Sequence, residues 1–84
     1  MKKTPFGRRL TILREERNLT QEEFAARLGW AGYGQISQQV ISKWESKPTY
    51  RIYPGAFEAT RRALRLSDEE SKELAILWAY NGAL

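Results

Sequence analysis

Apolar residues recur along this chain in short blocks at helical spacing, and the shortest block is the most telling. In Ser37-Gln38-Gln39-Val40-Ile41-Ser42-Lys43-Trp44-Glu45, Ile41 and Trp44 lie three apart and can point inward. Gln39, Ser42, Lys43 and Ser46 fall on the opposite side. Ser37 is placed to cap this segment, with Ile36 before it able to staple onto Ile41. The outer face carries amides, hydroxyls and one ammonium. Glutamine can pair bidentately with adenine in a major groove, and lysine reaches guanine or phosphate, so residues 37–46 are a candidate sequence reader.

Four more helices are predicted. Thr4-Pro5 opens the first, threonine as N-cap and proline at the first helical position, and Phe6, Leu10 and Leu13 form its inward stripe. Asn18 ends it. Thr20 caps the second, with Glu23 completing a capping box. Phe24, Ala25 and Leu28 make its buried face, and Gly29 is expected to stop it. Residues 29–36 hold three glycines and read as a loop. After the third helix, closed by Pro48, comes an irregular basic-aromatic segment, then a fourth helix from about Ala56 to Arg65. That helix is expected to bury Phe57, Thr60 or the Arg61 stem, and Leu64. Ser67 and Glu70 make a second capping box, opening a fifth helix that reaches about Tyr80 and ends at Asn81-Gly82. No strand pattern, repeat or dividing linker is visible, so residues 1–84 are read as one all-α domain of five helices.

Composition narrows the chemistry. With no cysteine and no histidine, disulfides are excluded and a structural zinc site is not expected. No metal, cofactor or small-molecule ligand is implied. The carboxylates fall mostly in caps and on helix faces, no nucleophile–base set is apparent, and the reading is not an enzyme. Met-Lys-Lys-Thr-Pro resembles a signal n-region, but Arg8, Arg9 and Arg14 interrupt every apolar run that would follow. No membrane segment is expected, and lack of cysteine fits a cytoplasmic protein. The net charge of +4 conceals a polarity. Residues 1–66 carry 13 basic and 6 acidic side chains, whereas residues 67–84 carry Lys72 against Asp68, Glu69, Glu70 and Glu73. A basic body suggests a polyanionic partner. Lys2, Lys3, Arg8 and Arg9 are either an arm reaching that partner or a frayed terminus. Gly29-Trp30-Ala31-Gly32 also spells the Gly-x-x-Gly loop of single-strand-binding modules, but those need a sheet, and none is visible.

Residues 10–29, from Leu10-Thr11-Ile12-Leu13-Arg14 to Ala25-Ala26-Arg27-Leu28-Gly29, together with Ile41-Ser42-Lys43-Trp44-Glu45, resemble the lambda-repressor-like helix-turn-helix family. This is also called the xenobiotic-response-element family of bacterial and phage regulators. The resemblance covers roughly residues 6–66. It implies a five-helix DNA-binding fold with the second and third helices as the helix-turn-helix. Ala25 would sit at their close crossing and Gly29 at the turn, while Ile41 and Trp44 would anchor the third helix. By position, Gln38, Gln39, Ser42 and Lys43 would read base edges. Gln21, Arg51 and, from the longer turn, Tyr33 would contact phosphates. Arg14 and Glu45 would bridge the first and third helices. The turn from Trp30 to Ile36 is several residues longer than the family's usual connection.

Leu74 to Tyr80 are all apolar. Leu74, Leu77 and Trp78 can pack on the domain, leaving Ile76 and Tyr80 outward; the run is too short to span a membrane. Two readings stand: a helix buried all round in a monomer, or a two-fold interface through Leu74, Ile76, Leu77, Trp78 and Tyr80. The second supplies buried surface that so small a chain otherwise lacks. It would also set two reading helices about one DNA turn (~34 Å) apart. The expected function is therefore a sequence-specific transcriptional regulator, a repressor, binding a palindromic double-stranded DNA operator as a homodimer, with residues 67–81 used for dimerisation. The competing reading is a protein-interaction module, such as an antitoxin or phage accessory protein, whose C-terminal helix holds another protein.

Overall fold

The computed structural model describes residues 4–46 and 54–81, except the side chains of Pro54, Tyr80 and Asn81. Five helices follow one another: α1 Pro5–Glu16, α2 Gln21–Trp30, α3 Gln38–Ser46, α4 Pro54–Leu64 and α5 Asp68–Asn81. Among the described residues there is no strand, so the fold is all-α. α3 lies against both α1 and α2, α4 packs on α2, and α5 packs on α1.

Three start signals act as read; Ser37 precedes α3 but, among the described residues, only its backbone carbonyl bonds the helix, accepting from the Val40 amide at 3.1 Å. Thr4 accepts from the Gly7 amide at 2.9 Å with Pro5 behind it. Thr20 and Glu23 form the complete reciprocal box at 3.0 and 2.8 Å. Ser67 and Glu70 repeat it at 2.9 and 3.1 Å. Each satisfies amides that a helix start otherwise leaves without partners.

Three helices end by one device. The residue after the cap turns left-handed, and the next sends its amide back to a carbonyl five positions earlier. Leu19 bonds Arg14 at 3.3 Å, Tyr33 bonds Leu28 at 3.1 Å, and Leu66 bonds Arg61 at 3.0 Å. The left-handed residues are Asn18 (φ 58°), Gly32 (φ 96°) and Arg65 (φ 52°). These are Schellman turns, and each directs a bulky residue back toward the body: Leu19 and Leu66 are buried, and Tyr33 meets the Trp44 ring edge-on.

Two boundaries differ from expectation. Gly29 does not stop α2; the helix continues to Trp30, because the reversal needs a left-handed residue and Gly32 supplies it. The connecting turn is therefore 31–37, shorter than the loop read from 29. α4 begins at Pro54, ahead of Ala56, and ends before Arg65. Pro48 and Gly82 lie outside the described residues.

The core is one cluster. Phe6, Leu10 and Leu13 come from α1, Phe24, Ala25 and Leu28 from α2, and Ile41 and Trp44 from α3; Leu64 and Leu74 close it from below. α4 contributes mostly alanine, at Ala56, Ala59 and Ala63, beside Thr60. Phe57 is only partly buried, stacked on Trp78 with ring centres 5.1 Å apart. Arg17 ties three helices: its guanidinium donates to Leu13 O at 2.9 Å, to Leu64 O at the end of α4, and to Glu70 at 2.8 Å on α5.

Candidate nucleic-acid interface

α3 has the two faces that its sequence requires. Ile41, Trp44 and Glu45 are buried. Gln38, Gln39 and Lys43 are exposed, and Ser42 is half-buried beside them. The outward set holds no carboxylate. Glu45, the one acid of α3, is turned inward and neutralised, which leaves a surface a phosphate backbone can approach without repulsion.

That neutralisation is the centre of the site. Glu45 is 1% exposed and takes a two-pronged contact from Arg14, Nε to Oε2 at 2.7 Å and a terminal nitrogen to Oε1 at 3.2 Å. A third Arg14 nitrogen donates to Leu19 O at 2.6 Å, in the turn after α1. A planar guanidinium suits this paired geometry, which fixes direction as well as distance. Oε1 of Glu45 also accepts from the Gln21 amide at 3.0 Å, and Gln21 in turn accepts from Gln38 Nε2 at 3.3 Å. Arg14, Glu45, Gln21 and Gln38 thus form one hydrogen-bonded chain, running from the buried interior to the exposed first turn of α3. It fixes the start of α2 against both ends of α3.

Of the base-reading set, Gln38, Gln39, Ser42 and Lys43 lie together along the outer side of α3. Of the phosphate set, Gln21 sits at the first position of α2 beside Gln38. Tyr33 stands in the turn, 37% exposed, with its ring on Trp44 and its amide committed to Leu28. Arg51 lies outside the described residues, as do Lys2 and Lys3. Arg9 is drawn to Glu73 of α5, with contacts of 3.0 and 3.1 Å, whereas Arg8 is exposed. The turn 31–37 folds back along α2 and leaves an open cleft of about 830 Å³ between them, bordered by Glu22, Ala26, Trp30, Gln35 and Gln38.

The residues expected at a dimer interface do not share one exposed face. Leu74 is fully buried, and Leu77 and Trp78 pack against the core; Ile76 stands out, 70% exposed. The Tyr80 side chain lies outside the described residues. No helix among those described is long and apolar enough to cross a membrane.

Sequence reasoning missed Gly7 and Arg17. A β-carbon on residue 7 would fall 2.1 Å from the Glu45 carbonyl oxygen, so α1 and α3 touch backbone to backbone there. A glycine inside an otherwise well-formed helix was the available signal. Arg17 carried no signal, since its partners come from α4 and α5.

No curated protein and no solved structure matches the chain. The helix-turn-helix family model matches residues 10–52, just over half of the 84, running from the middle of α1 through α2 and α3. With its five helices and with α2 and α3 held as described, the chain belongs to the lambda-repressor-like, xenobiotic-response-element type of helix-turn-helix DNA-binding regulators.

Proposed function

We propose that the chain is a cytoplasmic repressor that binds a palindromic double-stranded operator as a homodimer, with residues 1–84 acting as one DNA-binding domain. α3 enters the major groove. Gln38 and Gln39 read adenine or a neighbouring base edge, Ser42 and Lys43 extend the contact, and Gln21, Arg51 and the Tyr33 phenol hold phosphates. The observation that carries this reading is the chain Arg14–Glu45–Gln21–Gln38. A glutamine fixed by hydrogen bonds before DNA arrives loses less freedom on binding, so its selectivity is not spent on ordering it. Gln21, held in the same network at the start of α2, sits where helix amides favour an anion.

Dimerisation is assigned to α5, residues 67–81, through the surface around Ile76. No ligand or cofactor is required. The test is selection of duplexes from a random library by the full chain, followed by titration over a salt series. A selected inverted repeat, bound with a steep salt dependence and at least a hundredfold above unrelated duplex, is the expected result (a gap at the low end for specific binders is roughly 10³). Enrichment of no sequence, with equal affinity for every duplex, would sink operator reading and leave the protein-interaction module as the better account.

A further inference from the structure

The outward face of α5 is not an apolar seam. At helical spacing Asp68, Glu69, Lys72, Glu73, Ile76 and Ala79 share one side, and all six are exposed. Glu73 is engaged by Arg9, whereas Asp68 and Glu69 make no ion pair among the described residues. Asp68 and Glu69, the Arg9-bound Glu73, Lys72 and Ile76 form this surface, an excess of carboxylate around one isoleucine, with Leu74, Leu77 and Trp78 turned into the domain. Two such faces pressed together would set acid against acid. The surface that fits α5 must be basic with an apolar centre.

Such a surface lies among the described residues. Where the ends of α2 and α4 meet, a hollow of about 370 Å³ is lined by Arg27, Trp30, Ala31, Arg62, Ala63 and Arg65. Trp30 is 82% exposed, the highest value among the large hydrophobic side chains described. Among the described residues none of the three arginines is in a salt bridge or side-chain hydrogen bond, Arg62 acting only through its charge on Glu58. Arg65 keeps a left-handed backbone, where glycine would be the ordinary choice. Tryptophan and arginine are both enriched at the energetic centres of protein interfaces. The hollow stands at the opposite end of α2 from Gln21, ~13 Å away at the helical rise, and Trp30 divides it from the cleft that reaches Gln38.

We infer that the Arg27–Trp30–Arg62–Arg65 hollow docks the outer face of α5 from a second copy of this chain, arginines to Asp68 and Glu69, and Trp30 to Ile76. This rests on the homodimer reading above and names what α5 meets. Only Arg65, Leu66 and Ser67 separate α4 from α5, so the basic hollow and the acidic face adjoin. A two-fold axis beside that corner pairs each with the partner's complement. The contact is then made twice, and the assembly closes at two.

Charge exchange tests it. The full chain, an Arg27→Glu/Arg62→Glu variant and an Asp68→Arg/Glu69→Arg variant are compared by sedimentation equilibrium, each alone and the two variants mixed. Circular dichroism checks the fold. The expected result is a wild-type dimer that weakens with salt, each variant weakened about tenfold or more on its own, and a heterodimer restored on mixing, where both contacts regain opposite charges. A folded Arg27→Glu/Arg62→Glu variant that dimerises like wild type would overturn the docking and leave the dimer standing on another surface. A wild-type chain that stays monomeric at millimolar concentration would overturn the homodimer itself. Two variants that both weaken but fail to associate when mixed would also overturn the pairing.

Discussion

The carbonyl oxygen of Glu45 occupies the space a β-carbon on Gly7 would need, 2.1 Å from its ideal position. α3 is therefore seated on α1 by backbone contact at Gly7 as well as by the Arg14–Glu45 pair. Gly7→Ala should destabilise the fold by about 1–3 kcal/mol in urea denaturation, the cost of forcing packed backbones apart. Helix propensity alone argues the other way, by about 1 kcal/mol in favour of alanine. A stabilised Gly7→Ala variant would contradict the close approach.

Removing one member of the buried pair leaves the other without its counter-charge. Glu45→Ala, which orphans Arg14 and frees Gln21, should cost about 3–5 kcal/mol by the same measurement. Adding Arg14→Met should recover part of that loss, because no charge is then buried alone. Strict additivity of the two changes would show that the pair acts independently of burial.

Arg65 carries a β-carbon in a left-handed turn that closes α4. Arg65→Gly should raise stability by about 0.5 kcal/mol, the relief of backbone strain less the added freedom of the unfolded chain. Thermal unfolding reads the sign, and a lower midpoint would count against the turn.

The Ser67 amide, followed by the Arg17 guanidinium, holds the Glu70 carboxyl below its ordinary value of 4.5, against a desolvation that raises it. A carboxyl depressed in the folded state adds stability that is present above its unfolded value and is lost as pH falls through the folded one. Glu70→Gln keeps an amide oxygen for the capping box but removes the charge. The variant should be less stable by about 0.5 kcal/mol at neutral pH, a part-exposed pair being worth little, and should converge with wild type as pH drops below 4.5. A difference that persists unchanged at pH 2.5 would assign the effect to packing.

Much of this was legible in the residues. Capping boxes at Thr20–Glu23 and Ser67–Glu70 are local signals, complete within four positions, and the amphipathic pattern of α3 follows from Ile41 and Trp44 alone. What was not legible depends on long-range partners. Gly29 looked like a helix stop because glycine favours that role, yet Gly32 takes it, since the reversal is set by where Tyr33 must return to Trp44. The large residues of α4 predict a face through Phe57 and Leu64, whereas its buried face also takes Ala56, Ala59 and Ala63, with α4 packed on α2. The apolar run of α5 suggested an interface, but the fold spends Leu74, Leu77 and Trp78 on its own core. Arg14–Glu45 was carried by the family resemblance; that Gln21 and Gln38 join the same network could not be read without the third helix in place.

Operator recognition requires that α3 read bases. Gln39 is exposed on that helix, and no hydrogen bond of its side chain supports the fold among the described residues, so Gln39→Ala should leave stability unchanged. Fluorescence anisotropy with the selected operator and with an unrelated duplex of equal length, at one salt concentration, compares the two complexes directly. The expected result is a loss of roughly 1–3 kcal/mol on the operator and almost none on the unrelated duplex, with Gln21→Ala weakening both alike. Equal loss on both duplexes from Gln39→Ala would contradict sequence reading by α3.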